Sequence, residues 1–160
     1  MKPVLLIAAC LSACTAMQSP YVLPADKARP LSDTAVFIAS DHQGNLGEMD
    51  NMALIVEVDG QHLHEPCLTV GCPKWVRVTP GTHVFRLRYR TEYVVYGQLE
   101  ANVQLTIAEM KPRHTYLLRM TRSGNMVRPS YEDLGEDSGH GLILCGAFGD
   151  CKSTYRPRFD

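Results

Sequence analysis

Chemistry in this chain would have to come from its six cysteines and six histidines. The run His62-x-His64-x-x-Cys67, with Cys72 close behind, offers the imidazole and thiolate ligands that zinc and copper take, and Met49, Met52, Met110, Met120 and Met126 are thioethers suited to Cu(I). The spacing matches no standard zinc knuckle, and in an oxidising compartment the thiolates a metal needs end as disulfides. The sequence is therefore read as carrying no metal and no cofactor. Cys67, Cys72, Cys145 and Cys151 are instead disulfide candidates. Four cysteines allow three connectivities. Pairing Cys67 with Cys72 and Cys145 with Cys151 is favoured, because each pair encloses four or five residues that include glycine and closes a local loop.

No catalytic residue is assigned. The chain has no Gly-x-Ser-x-Gly elbow, phosphate-binding loop, dinucleotide glycine pattern or His-Glu-x-x-His helix. Glu132, Asp133, Glu136 and Asp137 lack the alternating ligand spacing of a calcium loop and read as a solvated acidic turn. His83 and His114 read as satisfied strand-end histidines rather than general bases. The feature that points outward is Arg86, Arg88 and Arg90, three guanidinium groups on one strand face, with Arg77 and Lys74 as an extension and Trp75 as an aromatic contact beside them. Like charges at that spacing repel. The stripe persists if solvated, if carboxylates face it, or if it meets an anionic partner such as an envelope protein or peptidoglycan. Lys and Arg (16) balance Asp and Glu (17) in 160 residues, which argues against a nucleic-acid partner.

The first residues set the address. Met1 and Lys2 precede a short apolar stretch, Pro3 to Leu11, then Ser12, Ala13 and Cys14, the layout of a secretory signal and too short for a spanning helix of about 20 residues. Leu11-Ser12-Ala13-Cys14 resembles the lipobox of bacterial lipoproteins. That resemblance implies cleavage before Cys14, acylation of its thiol, and a membrane partner through the lipid anchor. Ile7-Ala8-Ala9-Cys10 fits the same pattern but leaves too short a signal. Thr15, not Asp, follows the cysteine, and the resemblance to Gram-negative lipoproteins then implies the outer membrane, with the domain facing the periplasm.

These residues need a scaffold, and its period is two. Leu99, Ala101, Val103, Leu105 and Ile107 alternate with polar neighbours, as do Phe85, Leu87 and Tyr89 with the arginines, and Tyr116, Leu118 and Met120 with Leu117 and Arg119. Leu54, Val56 and Val58 are set against Ala53, Ile55 and Glu57 in the same way. Turns are expected at Asp59-Gly60, Pro80-Gly81, Lys111-Pro112 and Ser123-Gly124-Asn125, with Pro80-Gly81 joining the strand from Trp75 to the one from Thr82 as a hairpin. The expected fold is all-β, a small antiparallel β-sandwich. Its organisation is read as a signal peptide over 1–13, the lipidated cysteine and a flexible tether over 14–33, the sandwich over 34–135, and a cysteine-bearing segment over 136–160 that packs on it, with a strand at Leu142 to Leu144 and an irregular Tyr155-Arg156-Pro157.

The runs Ile55-Val56-Glu57-Val58-Asp59-Gly60, Val76-Arg77-Val78-Thr79-Pro80-Gly81-Thr82-His83-Val84-Phe85 and His114-Thr115-Tyr116-Leu117-Leu118-Arg119 resemble PEGA-like and transthyretin-like β-sandwich modules of bacterial envelope lipoproteins. The chain departs from that pattern by inserting His62 to Pro73 and by adding the C-terminal cysteine segment. The resemblance implies a non-catalytic protein with a structural or interaction role. An inhibitor or immunity-type lipoprotein acting through the Cys67 to Cys72 loop is the alternative, and a metal-binding protein built on His62, His64 and Cys67 the third.

Overall fold

A pleated strand sends successive side chains to opposite faces, so Phe85, Leu87 and Tyr89 on one side and Arg86, Arg88 and Arg90 on the other can belong to a sheet covered on one face only. The three apolar residues are buried. The computed structural model describes residues 20–40, 42–43, 52–63, 73–93, 97–124, 126–145 and 151–160. In chain order the strands are β1 (Tyr21–Val22), β2 (Ala35–Ile38), β3 (His42–Gln43), β4 (Met52–Val58), β5 (Gln61–His62), β6 (Trp75–Val78), β7 (Gly81–Tyr93), β8 (Gly97–Met110), β9 (His114–Ser123), β10 (Met126–Glu136), β11 (Leu142–Cys145) and β12 (Cys151–Tyr155). Two short 3-10 turns, Pro24–Asp26 and Leu31–Asp33, lie between β1 and β2.

The fold is all-β. A five-stranded sheet, β1-β6-β2-β9-β10, faces a four-stranded sheet, β5-β4-β7-β8, and a small sheet, β12-β11-β3, completes the set. Ladders are mostly antiparallel, but β1 with β6, β2 with β9 and β3 with β11 run parallel. Between the two larger sheets, Phe37, Val76, Val78, Tyr116 and Leu118 meet Ile55, Phe85, Leu87, Leu105 and Ile107 in one apolar cluster. Phe37 and Phe85 stack with ring centroids 4.2 Å apart. The other face of the five-stranded sheet is covered too, since Val36, Ile38, Trp75 and Leu117 pack under Leu142 and Phe159. That second cover explains why Ala35–Ile38 is apolar at every position and buried throughout: a central strand between two layers has no solvent face.

Four expectations change. Pro80-Gly81 does not close a hairpin, because β6 pairs with β1 and β2 while β7 pairs with β4 and β8. It is the corner at which the chain passes from one sheet to the other, and Gly81 takes a φ of 132° there. The tether does not extend to 33: Tyr21 and Val22 pair with Val76 and Arg77, Leu23 enters the core, and buried Asp26 bonds Arg29. In β4 the inward set is Ala53, Ile55 and Val58, since a register shift between Ile55 and Glu57 makes Val56 an extra, bulged residue and resets the alternation. Finally, Leu142–Cys145 is not the last strand, as β12 pairs back onto it.

Asp59 and Gly60 have φ values of 51° and 80° and link β4 to β5 in a two-residue hairpin, as the Asp-Gly pair predicts. Among the described residues, Thr115 Oγ1, fully buried, has no hydrogen-bond partner. A buried unpaired hydroxyl costs about 1–3 kcal/mol, so Thr115→Val, nearly isosteric and well suited to a strand, should raise stability by about 1 kcal/mol in urea titration. A loss of stability would show that the hydroxyl is satisfied.

Candidate functional site

The candidate surface is the outer face of the β5-β4-β7-β8 sheet. β7 places Arg86, Arg88 and Arg90 on it because Phe85, Leu87 and Tyr89 occupy the buried side. The β4 bulge then has a second effect: it turns Glu57 out of the core pattern and opposite Arg86. Glu57 is 7% exposed, and its Oε2 lies 3.4 Å from Arg86 NH1 and 3.3 Å from His62 Nε2, so one nearly dry carboxylate faces a guanidinium and an imidazole. Arg88 Nε lies 3.3 Å from Glu100 Oε1 on β8. Of the three conditions under which the stripe persists, facing carboxylates are present for Arg86 and Arg88. The face is a mixed-charge lattice, not a bare cationic strip.

Neither Trp75 nor the two flanking cations join it. Trp75 is 2% exposed in the other sheet, under Leu142 and Phe159, because β6 is not the hairpin partner of β7. Arg77 is buried on that same far layer, where its NH1 donates to Thr34 Oγ1 and its NH2 to the Arg158 carbonyl, both at 2.7 Å, with the guanidinium 5.2 Å from the Phe159 ring centroid. It is a clasp for the C-terminal segment, and desolvation pushes its pKa down. Lys74 is also largely withdrawn from water, which pushes its ammonium down to about 8.

The histidines and carboxylates are structural where they are described. His83 spans two loops, with Nδ1 2.6 Å from Asp59 Oδ2 and Nε2 2.7 Å from the Thr79 carbonyl. Asp59 Oδ1 also accepts the Val84 N–H, which ties the β4–β5 turn to the start of β7. The supposed acidic turn is in fact the end of β10 and the residue after it, each carboxylate meeting a basic side chain: Glu132 with Arg119, Asp133 with His114, and Glu136 and Asp137 with Arg113. His64, Cys67, Cys72 and Cys14 lie outside the described residues. Among the described residues no group of three potential metal ligands converges. Cys145 and Cys151 stand opposite each other in the β11–β12 register.

Burial pushes the Asp133 carboxyl up, but hydrogen bonds from His114 and the Gly135 N–H outweigh it and hold the group below the ordinary carboxylate range. The folded protein thus keeps Asp133 ionised to lower pH than the unfolded chain does. Its contribution is present above the ordinary aspartate value of 3.8 and is lost as pH falls below it. Asp133→Asn should flatten the acid limb of the stability curve below that pH, by less than about 1 kcal/mol because the pair is exposed to solvent. Unfolding midpoints taken at a series of acidic pH values would show it.

Glu57 and Glu100 are the site residues the sequence reading missed. Glu57 sits in an apolar run and Glu100 among neutral polar residues, so neither carries a local signal, and only the cross-strand register reveals them. Comparison with protein-family models, curated proteins and solved structures finds no match to this chain.

Proposed function

We propose that this chain is a non-catalytic, lipid-anchored envelope protein, acylated at Cys14, held at the outer membrane and facing the periplasm, with a structural or interaction role. The observation that carries the reading is Leu11-Ser12-Ala13-Cys14, placed directly after a cationic start and a short apolar stretch. Several acyl chains on one cysteine make a stable attachment, because each buried methylene contributes about 0.8 kcal/mol. The mechanism is tethering: anchoring confines the domain to the membrane surface and raises its effective concentration toward nearby partners. The lattice of Arg86, Glu57, His62, Arg88 and Glu100 is the surface offered to an envelope protein or to peptidoglycan. The PEGA-like and transthyretin-like resemblance fits an all-β accessory domain of this kind.

Intact-mass analysis of the full-length product extracted from membranes tests the reading. Residues 1–13 should be missing and Cys14 should carry diacylglycerol. Without reduction, the mass should be lower by two hydrogens for each bridge among Cys67, Cys72, Cys145 and Cys151. A species that retains its leader, lacks the acyl groups and has free thiols would overturn both the location and the disulfides.

A further inference from the structure

Tyr21, Val76, Phe37 and Tyr116 form one rung across the first four strands of the five-stranded sheet. β1 is parallel to β6, β6 antiparallel to β2, and β2 parallel to β9. It follows that the chain, traced back from Tyr21 toward Cys14, leaves the sheet at the end toward which β9 runs from Tyr116 to Ser123. Both legs are seven residues long. Seven residues fully extended reach at most about 25 Å, and seven residues of strand advance about 23 Å. An anchor at Cys14 therefore holds the bilayer within about the distance from the rung to which the β9–β10 tip projects.

The tip has the composition for that contact. Met126 is 73% exposed, more than any other large apolar side chain among the described residues. Arg122 and Arg128 flank it in the hairpin, and no acidic residue occurs from 119 to 131. The register sets Met126 opposite Ser123, Arg128 opposite Thr121 and Ser130 opposite Arg119, so Met126, Arg128 and Arg119 share one face of the hairpin. The carboxylates of the hairpin lie lower, at Glu132, Asp133 and Glu136, and Glu132 already holds Arg119 at 2.6 Å, which leaves Arg122 and Arg128 as the cations nearest the tip. We infer that the β9–β10 tip is a contact surface for anionic phospholipid headgroups, with Met126 entering the interface and Arg122 and Arg128 facing phosphates. This rests on the acylation of Cys14 proposed above. It orients the domain: the Asp59-Gly60 and Pro80-Gly81 turns point away from the membrane, and the Arg86 and Arg88 face stands to the side, open to a partner.

The test uses the full-length acylated protein in vesicles of phosphatidylethanolamine and phosphatidylglycerol that contain nitroxide-labelled lipid. Trp75, the one native tryptophan, is buried and supplies a low background. Met126→Trp should show a blue-shifted emission quenched by the labelled lipid. Leu31→Trp, a 39% exposed position at the opposite end of the sheet, should show neither. Adding Arg122→Gln and Arg128→Gln to Met126→Trp should weaken the quenching. Acylated protein in which Met126→Trp is not quenched, or in which Leu31→Trp is quenched as strongly, overturns the tip contact while leaving the anchor intact. Quenching unchanged by the two glutamines overturns the headgroup assignment. Protein whose intact mass lacks acylation at Cys14 overturns the anchor itself, and the tip contact with it.

Discussion

Phe85→Ala is expected to destabilise the protein by about 3–5 kcal/mol, read as a fall in the urea midpoint. Phe85 is fully buried on β7 and stacks on Phe37 of β2, with 29° between the ring planes. The pair is where the two larger sheets touch, so truncating it removes both the transfer free energy of a phenyl group and the stacking, which alone adds about 0.5–1.5 kcal/mol. Ile55, Leu87 and Val76 around it are held in ladders on both sides and cannot collapse into the cavity at little cost. Arg88→Ala, one pleat away in the same strand family but on the solvent face, should change stability by no more than about 0.5 kcal/mol. Equal effects at the two positions would mean that the sheets do not bury this face against each other.

Gly141→Ala is expected to cost about 2–4 kcal/mol and to shift the emission of Trp75 to the red. Gly141 is buried just before β11, and a Cβ there would fall on the carbonyl of Tyr155, closer than unbonded atoms approach, with the Arg156 Cα also too near. Those are backbone atoms of a paired strand, so the clash can be relieved only by parting β11 from β12. That movement would lift Leu142 and Phe159 from the layer that covers Trp75. Gly139→Ala is the control, because its Cβ would meet only the mobile end of the Arg156 side chain at 3.6 Å. If Gly141→Ala leaves Trp75 emission unchanged, the C-terminal segment is not what shields that tryptophan.

The location of those two predictions marks where the sequence was informative. Phe85, Leu87 and Tyr89 were legible as an inner face because alternation is a local property: the pleat alone decides it. The Asp59-Gly60 turn was legible for a similar reason, since few residue pairs accept two consecutive positive φ values. Trp75 was misread as a surface residue because its fate depends on which strand β6 pairs with, and Pro80-Gly81 is equally suited to a tight hairpin and to a corner between sheets. The misassigned alternation in β4 has another cause. A bulge at Val56 inserts one residue, and nothing in Ile55-Val56-Glu57 announces it.

By itself the sequence determined the period of the strands, their inner and outer sets wherever no bulge intervenes, the positions of several turns, and the export-like pattern ending at Cys14. Tertiary structure alone decided that Arg77 is a buried clasp, that Glu57 and Glu100 answer the arginines, that Tyr21 and Val22 belong to the sheet, and that Cys145 lies opposite Cys151. The division follows from range. Pleating and turn geometry are set by a few neighbouring residues, whereas pairing and charge compensation join residues tens of positions apart and exist only once the register is fixed.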